Sequence, residues 1–363
     1  MFRDLSGALR ARRDPEARSD RPHWAARLED VKNTVVGGLL HRAGWDLRIQ
    51  PFTGYGTTER VRILAKIRYA SPGTSADHHD QPVHDMRRMA ARGWRNFAGQ
   101  VAPFSRVHVR LGDAEHVVQA DRSGIVDAEL DVDLSPGHHE AELWTDGHDL
   151  VTADVMVIGP DTRLGLISDV DDTVLVTWLP RPLLAFWNAF VTHQSNRRVV
   201  PGMAMLYQRL RRAHPDMPVL YLSTGAWNVF PVLRRFLYRN GYPDGPMLLT
   251  DWGATNTGFF RSGRAHKERS LARLSEMFPQ VRWILVGDDG QHDPAIYEAF
   301  TEEHPDQVAA IAIRQLTEPE QLLAHGTLRP LRRRRGAGSG PLEVRAPDGH
   351  GLLRQLEGSE ILP

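Results

Sequence analysis

Apolar and polar positions change rhythm about halfway along the chain. From His23 to Arg42 the apolar residues Trp24, Leu28, Val31, Val35 and Leu39 recur at helical spacing. Pro22 suits a helix start, and Gly37-Gly38 weakens the pattern near its end. Val61, Ile63, Ala65 and Ile67 then alternate with polar neighbours, which predicts a half-buried strand. The stretch RYASPGTSADHHDQPVHD that follows is polar and turn-rich and reads as a loop. Alternation returns at Arg106–Arg110, Ile125–Val132 and Glu140–Trp144, punctuated by Gly112, Gly124, Pro136-Gly137 and Gly147. Short strands at intervals of about 8–12 residues predict an antiparallel β-sandwich ending near Val157, with Gly159-Pro160 as a boundary.

Beyond Leu164 the pattern becomes strand, helix, strand, helix. Leu164–Ser168, Val219–Leu222, Trp283–Val286 and Ala309–Ile313 are apolar runs, separated by amphipathic stretches such as Met203–Arg212 and Lys267–Phe278. Buried strands alternating with helices predict a parallel, Rossmann-like sheet with helices on both faces. The expected organisation is an N-terminal arm and amphipathic helix over 1–45, a smaller β-sandwich-like domain over 46–160 and an α/β domain over 161–328. Residues 329–363 open with RPLRRRRGAGSGP, a basic run and then linker composition, and are expected to form a flexible tail.

Composition narrows the chemistry. Lys plus Arg and Asp plus Glu both number 45 in 363 residues, so overall charge gives no argument for a nucleic-acid partner. Cysteine is absent, which excludes disulfide frameworks, thiolate zinc sites and thiol nucleophiles. The first twenty residues lack a signal-peptide core, and no apolar run reaches the ~18–20 residues of a membrane span. The expected location is cytoplasmic, with peripheral membrane contact left open. His78-His79, His84 and His138-His139 match no zinc spacing and read as polar loop residues.

Chemistry gathers where the apolar strands end. Leu166-Ile167-Ser168 runs directly into Asp169, Asp171, Asp172 and Thr173, and crowding acids there is unfavourable unless a cation or proton relieves it. Mg²⁺ is the natural candidate, because it takes hard oxygen ligands and shares them with phosphate. Leu220-Tyr221-Leu222 ends in Ser223, Thr224 and Gly225, which offer hydroxyl and backbone N–H groups to an anion. Lys267 near a helix start brings an ammonium, and Ile284-Leu285-Val286 ends in Gly287, Asp288, Asp289 and, shortly after, Asp293.

In that order, Asp169-x-Asp171-x-Thr173, Ser223, Lys267 and Gly287-Asp288…Asp293 resemble the four motifs of the haloacid-dehalogenase superfamily. The flanking Ser168–Val174, Trp227-Asn228, His266-Lys267 and Gly290-Gln291-His292-Asp293-Pro294 resemble the catalytic domain of the actin-patch-associated phosphatidate phosphatases. The resemblance covers about Leu164 to Arg314, and less specifically the β-rich region before it. Gly225 and Ala226 stand where Ser and Pro are expected, and Asp289 where Ser is usual.

The resemblance implies a Mg²⁺-dependent phosphomonoesterase with phosphatidate as substrate. Asp169 is then the nucleophile that forms an aspartyl-phosphate, and Asp171 the acid and base. Ser223 and Lys267 hold the phosphoryl oxygens, with Thr173, Thr224 and Gly225 lining the substrate position. Asp169, the Asp171 carbonyl and Asp288 hold the metal, while Asp293 and Asp289 orient metal-bound water. Asp172 reads as a structural cap or a group behind the metal ligands, not as a ligand itself. A phosphatase of soluble phosphomonoesters and a non-catalytic binding or scaffold protein are the alternatives. The Trp-rich stretch 175–190 is either a lid at acyl chains or packing over the sheet, and Arg332–Arg335 either meets acidic lipid head groups or is a solvated tail.

Overall fold

The computed structural model describes residues 45–70, 101–176, 198–250, 263–290, 292–317, 320 and 340–363. The expected helix over His23–Arg42, the residues His78, His79 and His84, the Trp-rich stretch beyond Val176 and Arg332–Arg335 lie outside these residues. The described chain divides into two compact units, one built from residues 45–70 and 101–159, the other from residues 160 onward.

The first unit consists of β1 (Asp46–Gly56), β2 (Arg60–Ala70), β3 (Arg106–Leu111), β4 (Ala114–Gln119), β5 (Ile125–Asp131), β6 (Gly137–Trp144) and β7 (Val151–Val157). As the alternation predicts, Val61, Ile63, Ala65 and Ile67 of β2 are fully buried, together with Val107 and Val109 of β3. On the opposite face of β2, Arg62 and Leu64 are buried too, so a one-residue slip would exchange two packed faces and break both, which fixes the register.

The expected two-layer sandwich is instead one continuous sheet, ordered β4-β3-β6-β7-β1-β2-β5. Its edge strands β4 and β5 lie against each other, so the sheet curls toward a barrel. It is not purely antiparallel, because β1 and β7 run parallel. Strand spacing marks the turns, but the β1–β7 pairing joins segments about a hundred residues apart and leaves no local signal. His138 and His139, expected in a loop, lie on β6, where the backbone pairs with β7 from Gly137 onward.

The second unit contains β8 (Leu164–Ser168), β9 (Leu175–Val176), β10 (Arg198–Val199), α1 (Met203–Ala213), β11 (Val219–Ala226), α2 (Phe230–Arg239), β12 (Met247–Thr250), α3 (Gly263–Met277), β13 (Arg282–Asp288), α4 (Asp293–Glu303), β14 (Val308–Arg314), β15 (Leu342–Ala346) and α5 (Gly349–Leu356). Its six-stranded sheet, β12-β11-β8-β13-β14-β15, is parallel throughout. Every position of β12 and β14 is buried, as in strands covered on both faces. From β8 the chain moves outward to β11 and β12, then returns to β13 on the other side of β8. In such a sheet the carboxyl ends beside this reversal form the ligand crevice. The residues ending β8 and β13 therefore start with a positional advantage.

Residues 342–356, expected in a flexible tail, form β15 and α5. Val344 and Ala346 are buried along β15, while Leu352, Leu353 and Leu356 bury one face of α5. Asp348 caps that helix by accepting from the Gly351 N–H at 2.8 Å. The strand pattern and the cap are visible in LEVRAPDGHGLLRQL, next to a Gly- and Arg-rich run of linker composition.

Candidate active site

Asp169 leaves β8 still in ladder register, its N–H donating to the Val286 carbonyl at 2.8 Å. The chain then folds tightly back, with the Val174 N–H on the Val170 carbonyl and Asp172 in the left-handed region at φ 57°. Asp tolerates that conformation better than most residues. The turn returns Thr173 to the start of the loop, where its Oγ1 donates to Asp169 Oδ2 at 3.1 Å. From below, Ser168 Oγ donates to the Asp169 carbonyl at 2.5 Å and bonds the Tyr207 hydroxyl at 2.6 Å.

On β11, buried Ser223 donates to Asp171 Oδ2 at 2.9 Å and accepts from the Gly225 N–H at 2.9 Å. The Gly225 N–H is thus committed to Ser223. Thr250 Oγ1 donates to the Thr224 and Gly225 carbonyls at 2.9 and 3.2 Å, pinning the turn. The Thr224 side chain packs at the start of α3, where a Cβ on Gly263 would lie 2.7 Å from Thr224 Cγ2.

Lys267 projects from α3 into the same buried centre, its Nζ 2.6 Å from Asp169 Oδ1 and 2.5 Å from Asp293 Oδ1. Asp288 ends β13, accepting from the Gly290 N–H at 2.6 Å through Oδ1. Asp293 opens α4, and glycine is needed at 287 because a Cβ there would come within 2.6 Å of Asp293 Oδ2. Asp169, Asp288 and Asp293 each present a carboxylate oxygen within 4.8 Å of the others. Asp293, expected to act one layer further out, contributes its own carboxylate to this group. Asp289 is not one of the three; its side chain accepts from the Leu316 N–H at 2.8 Å and ties two loops together.

The electrostatics follow from burial. Asp169 is pushed up to about 8, first by burial and then by Asp293 and Asp171, against the pull of Lys267. Burial also drives Asp288 well above the carboxylate range, with Asp293 and Asp169 adding to it. Burial alone would lower Lys267, but Asp169 and Asp293 outweigh it and hold the ammonium charged. One cation thus faces several acids. Oδ2 of Asp288 and Oδ2 of Asp293 are buried with no hydrogen-bond partner among the described residues. Lone pairs left in this way fit a hard cation, so the triad can hold a metal ion.

This arrangement predicts an unusual pH dependence. Folded Asp169 keeps a proton up to about 8 that the unfolded chain releases near 3.8. Without divalent cation, stability is therefore expected to fall as pH rises through that window, on the order of a few kcal/mol. A divalent cation should relieve the loss most at pH 8. Urea denaturation at pH 5 and 8, with chelator and with Mg²⁺, measures both effects; equal cation stabilisation at the two pH values would contradict the assignment.

The described geometry defines an α/β domain whose strand ends converge on a buried carboxylate–ammonium centre. Residues 164–315, which contain that centre, match the family described as "Phosphatidate phosphatase APP1, catalytic domain". The resemblance read from the motifs is borne out over this segment. Phosphatidate phosphatase APP1 of Saccharomyces cerevisiae is 28% identical over 152 residues, covering 42% of this chain and 26% of the yeast protein. An uncharacterized protein of Schizosaccharomyces pombe is 21% identical over 154 residues, covering 42% of this chain and 25% of its own. The chain therefore aligns with about a quarter of the length of these curated relatives. Among solved structures, a carbohydrate acetylesterase from Xanthomonas citri aligns over 75% of this chain and 70% of its own at 9% identity and a TM-score of 0.25, which carries no argument about fold or activity.

The structure brings the acids Asp169, Asp288 and Asp293 and the ammonium of Lys267 to one buried group, with Ser223 on Asp171 beside it. Ser168, Tyr207, Thr250 and Arg314, to which the sequence pattern assigns no role, hold the turns there. Only Ser168, adjacent to the nucleophile candidate, carried a local hint.

Proposed function

We propose that this chain is a Mg²⁺-dependent phosphatidate phosphatase that works through an aspartyl-phosphate on a haloacid-dehalogenase-like domain. The observation that carries the proposal is the grip on Asp169: Lys267 takes one carboxylate oxygen and Thr173 the other, beside Asp288 and Asp293. A nucleophile fixed at both oxygens is aimed before substrate arrives. The strand order, with β8 central and the acids at carboxyl ends, supports the fold assignment. The family of residues 164–315 supports a hydrolase of phosphoric monoesters and a phosphorylated lipid substrate.

In the proposed reaction, an Asp169 carboxylate oxygen attacks phosphorus while the bond to the glycerol oxygen breaks. Asp171 gives its proton to that leaving oxygen. Water then attacks phosphorus, Asp171 takes the water proton, and the bond to Asp169 breaks to release phosphate. Ser223 Oγ, on Asp171 Oδ2, orients this acid–base group. Lys267 holds the charge of the transferring group. Asp169, Asp288 and Asp293 are the residues that would hold Mg²⁺, which supplies neutralisation of phosphoryl charge.

No helix among the described residues is long and apolar enough to cross a membrane. The deciding assay compares phosphate release from vesicle-embedded phosphatidate and from a panel of soluble sugar, nucleotide and peptide phosphates, with Mg²⁺ or with chelator. Mg²⁺-dependent turnover of the vesicles is expected. Turnover confined to the soluble panel would remove the lipid substrate, and none on either would leave a binding or scaffold role.

A further inference from the structure

The residues that match the family end at 315, yet the turn that carries the nucleophile candidate is fastened to residues beyond it. The fastening runs through Arg314, the last residue of β14, whose side chain is only 4% exposed. Its Nη1 donates to the Asp172 carbonyl at 2.7 Å. Its Nη2 donates to both Glu320 carboxylate oxygens, at 2.7 and 2.9 Å. Its Nε donates to the Pro347 carbonyl, between β15 and α5, at 3.2 Å. All three nitrogens are thus committed, and each points to a different part of the chain.

The target on the nucleophile turn is telling. Asp172 is the left-handed residue of that turn, and its carbonyl belongs to the peptide that leads into Thr173, whose hydroxyl grips Asp169. Fixing that peptide fixes where the Thr173 hydroxyl stands. Arg314 also acts through its main chain, because its carbonyl accepts from the Asp289 N–H at 2.9 Å, next to Asp288. One residue therefore braces two of the turns that deliver carboxylates to the centre. The C-terminal segment adds a second, independent tie. The Gly349 N–H donates to the Pro201 carbonyl at 2.9 Å, just after the β9–β10 ribbon that continues from the nucleophile turn. Gly202, at φ 74°, is pressed so close that a Cβ would lie 2.4 Å from the His350 nitrogen.

We propose that Arg314 is a positioning residue for the nucleophile turn, oriented by Glu320 and by the β15–α5 segment. It touches neither substrate nor the reacting atoms. Its work is to hold the Asp172–Thr173 peptide so that Asp169 stays aimed. An Arg suits this role because its planar fork reaches three acceptors in fixed directions, whereas one Lys ammonium cannot span them.

The kinetic part of this inference rests on the proposed phosphatase activity, so the test has an arm that does not. Arg314→Lys keeps the charge beside Glu320 but leaves a buried acceptor at Asp172 or Pro347 unpaired, so the chain is expected to fold with a modestly lowered thermal stability. Hydrogen exchange at the amides of residues 170–175 should quicken at least tenfold, while amides within β8 and β13 stay protected. With phosphatidate vesicles, kcat should fall roughly 10- to 100-fold and KM change less than threefold, the pattern of lost alignment. Unchanged exchange in the turn, or a uniform rise across the sheet, would overturn the proposal, as would a kcat within twofold of the starting protein. Should Arg314→Lys not fold, the pair Arg314→Gln with Glu320→Gln leaves no buried unpaired charge and is read by the same two measurements. An unaltered chain without turnover would defeat the phosphatase reading, while the exchange arm still decides the role of Arg314.

Discussion

Asp169→Asn is expected to reduce phosphate release by roughly 10⁴-fold or more while leaving the fold intact. The amide is nearly isosteric with the carboxylate, so Thr173 can still donate to its oxygen, but the amide nitrogen cannot attack phosphorus or accept from Lys267. Loss of a nucleophile removes the covalent route and leaves only what binding and neighbouring charge provide. The same change removes the acid that burial pushes up to about 8. The cation-free variant should therefore be less sensitive to rising pH than the unaltered chain, even though it is inactive. Single-turnover phosphate release and urea denaturation at two pH values report the two effects separately. An Asn variant that turns over within tenfold of the starting protein would end the nucleophile assignment.

Lys267→Met is expected to cost about 3–5 kcal/mol of stability without divalent cation, because it removes the ammonium from buried acids. Lys267 contacts Asp169 at 2.6 Å and Asp293 at 2.5 Å, and it is 4% exposed. Met keeps most of the packing of the Lys stem, so the loss reports charge and hydrogen bonding more than volume. Adding Asp293→Asn to the Met variant should recover a substantial part of the loss, since one acid fewer then lacks a counter-ion. Denaturation of the two single variants and the double variant forms a cycle that isolates the coupling. Strictly additive effects would show that the ammonium and Asp293 do not work as a pair.

Much of this centre can be read from the chain because its parts obey a local rule. Most of the candidates stand at the end of an apolar strand, and a parallel sheet brings strand ends together whatever the helices between them contain. Asp169, Ser223 and Asp288 are legible for that reason, and Lys267 by its place near a helix start. Supporting contacts follow no such rule. Arg314 reaches Asp172 across 142 positions, and Tyr207 reaches Ser168 across 39. Nothing in the residues around Arg314 distinguishes it from an ordinary charge at a strand end. The role of Asp289 was likewise invisible, because its acceptor duty depends on where Leu316 lies in space. In the β-rich unit the alternation gives each strand its buried face, but a barrel-like sheet and a sandwich require the same alternation. Only long-range pairing distinguishes them.

The position of β15 bears on how this architecture divides into transferable modules. The family match covers residues 164–315, but the sheet continues past that point, and β14 is an interior strand only because β15 lies beside it. A graft of the aligned stretch into another scaffold would carry a raw lateral ladder along β14, a ready template for unwanted pairing. It would also carry a guanidinium stripped of its Pro347 and Glu320 acceptors. Shared ancestry and mechanical self-sufficiency thus mark out different lengths of this chain.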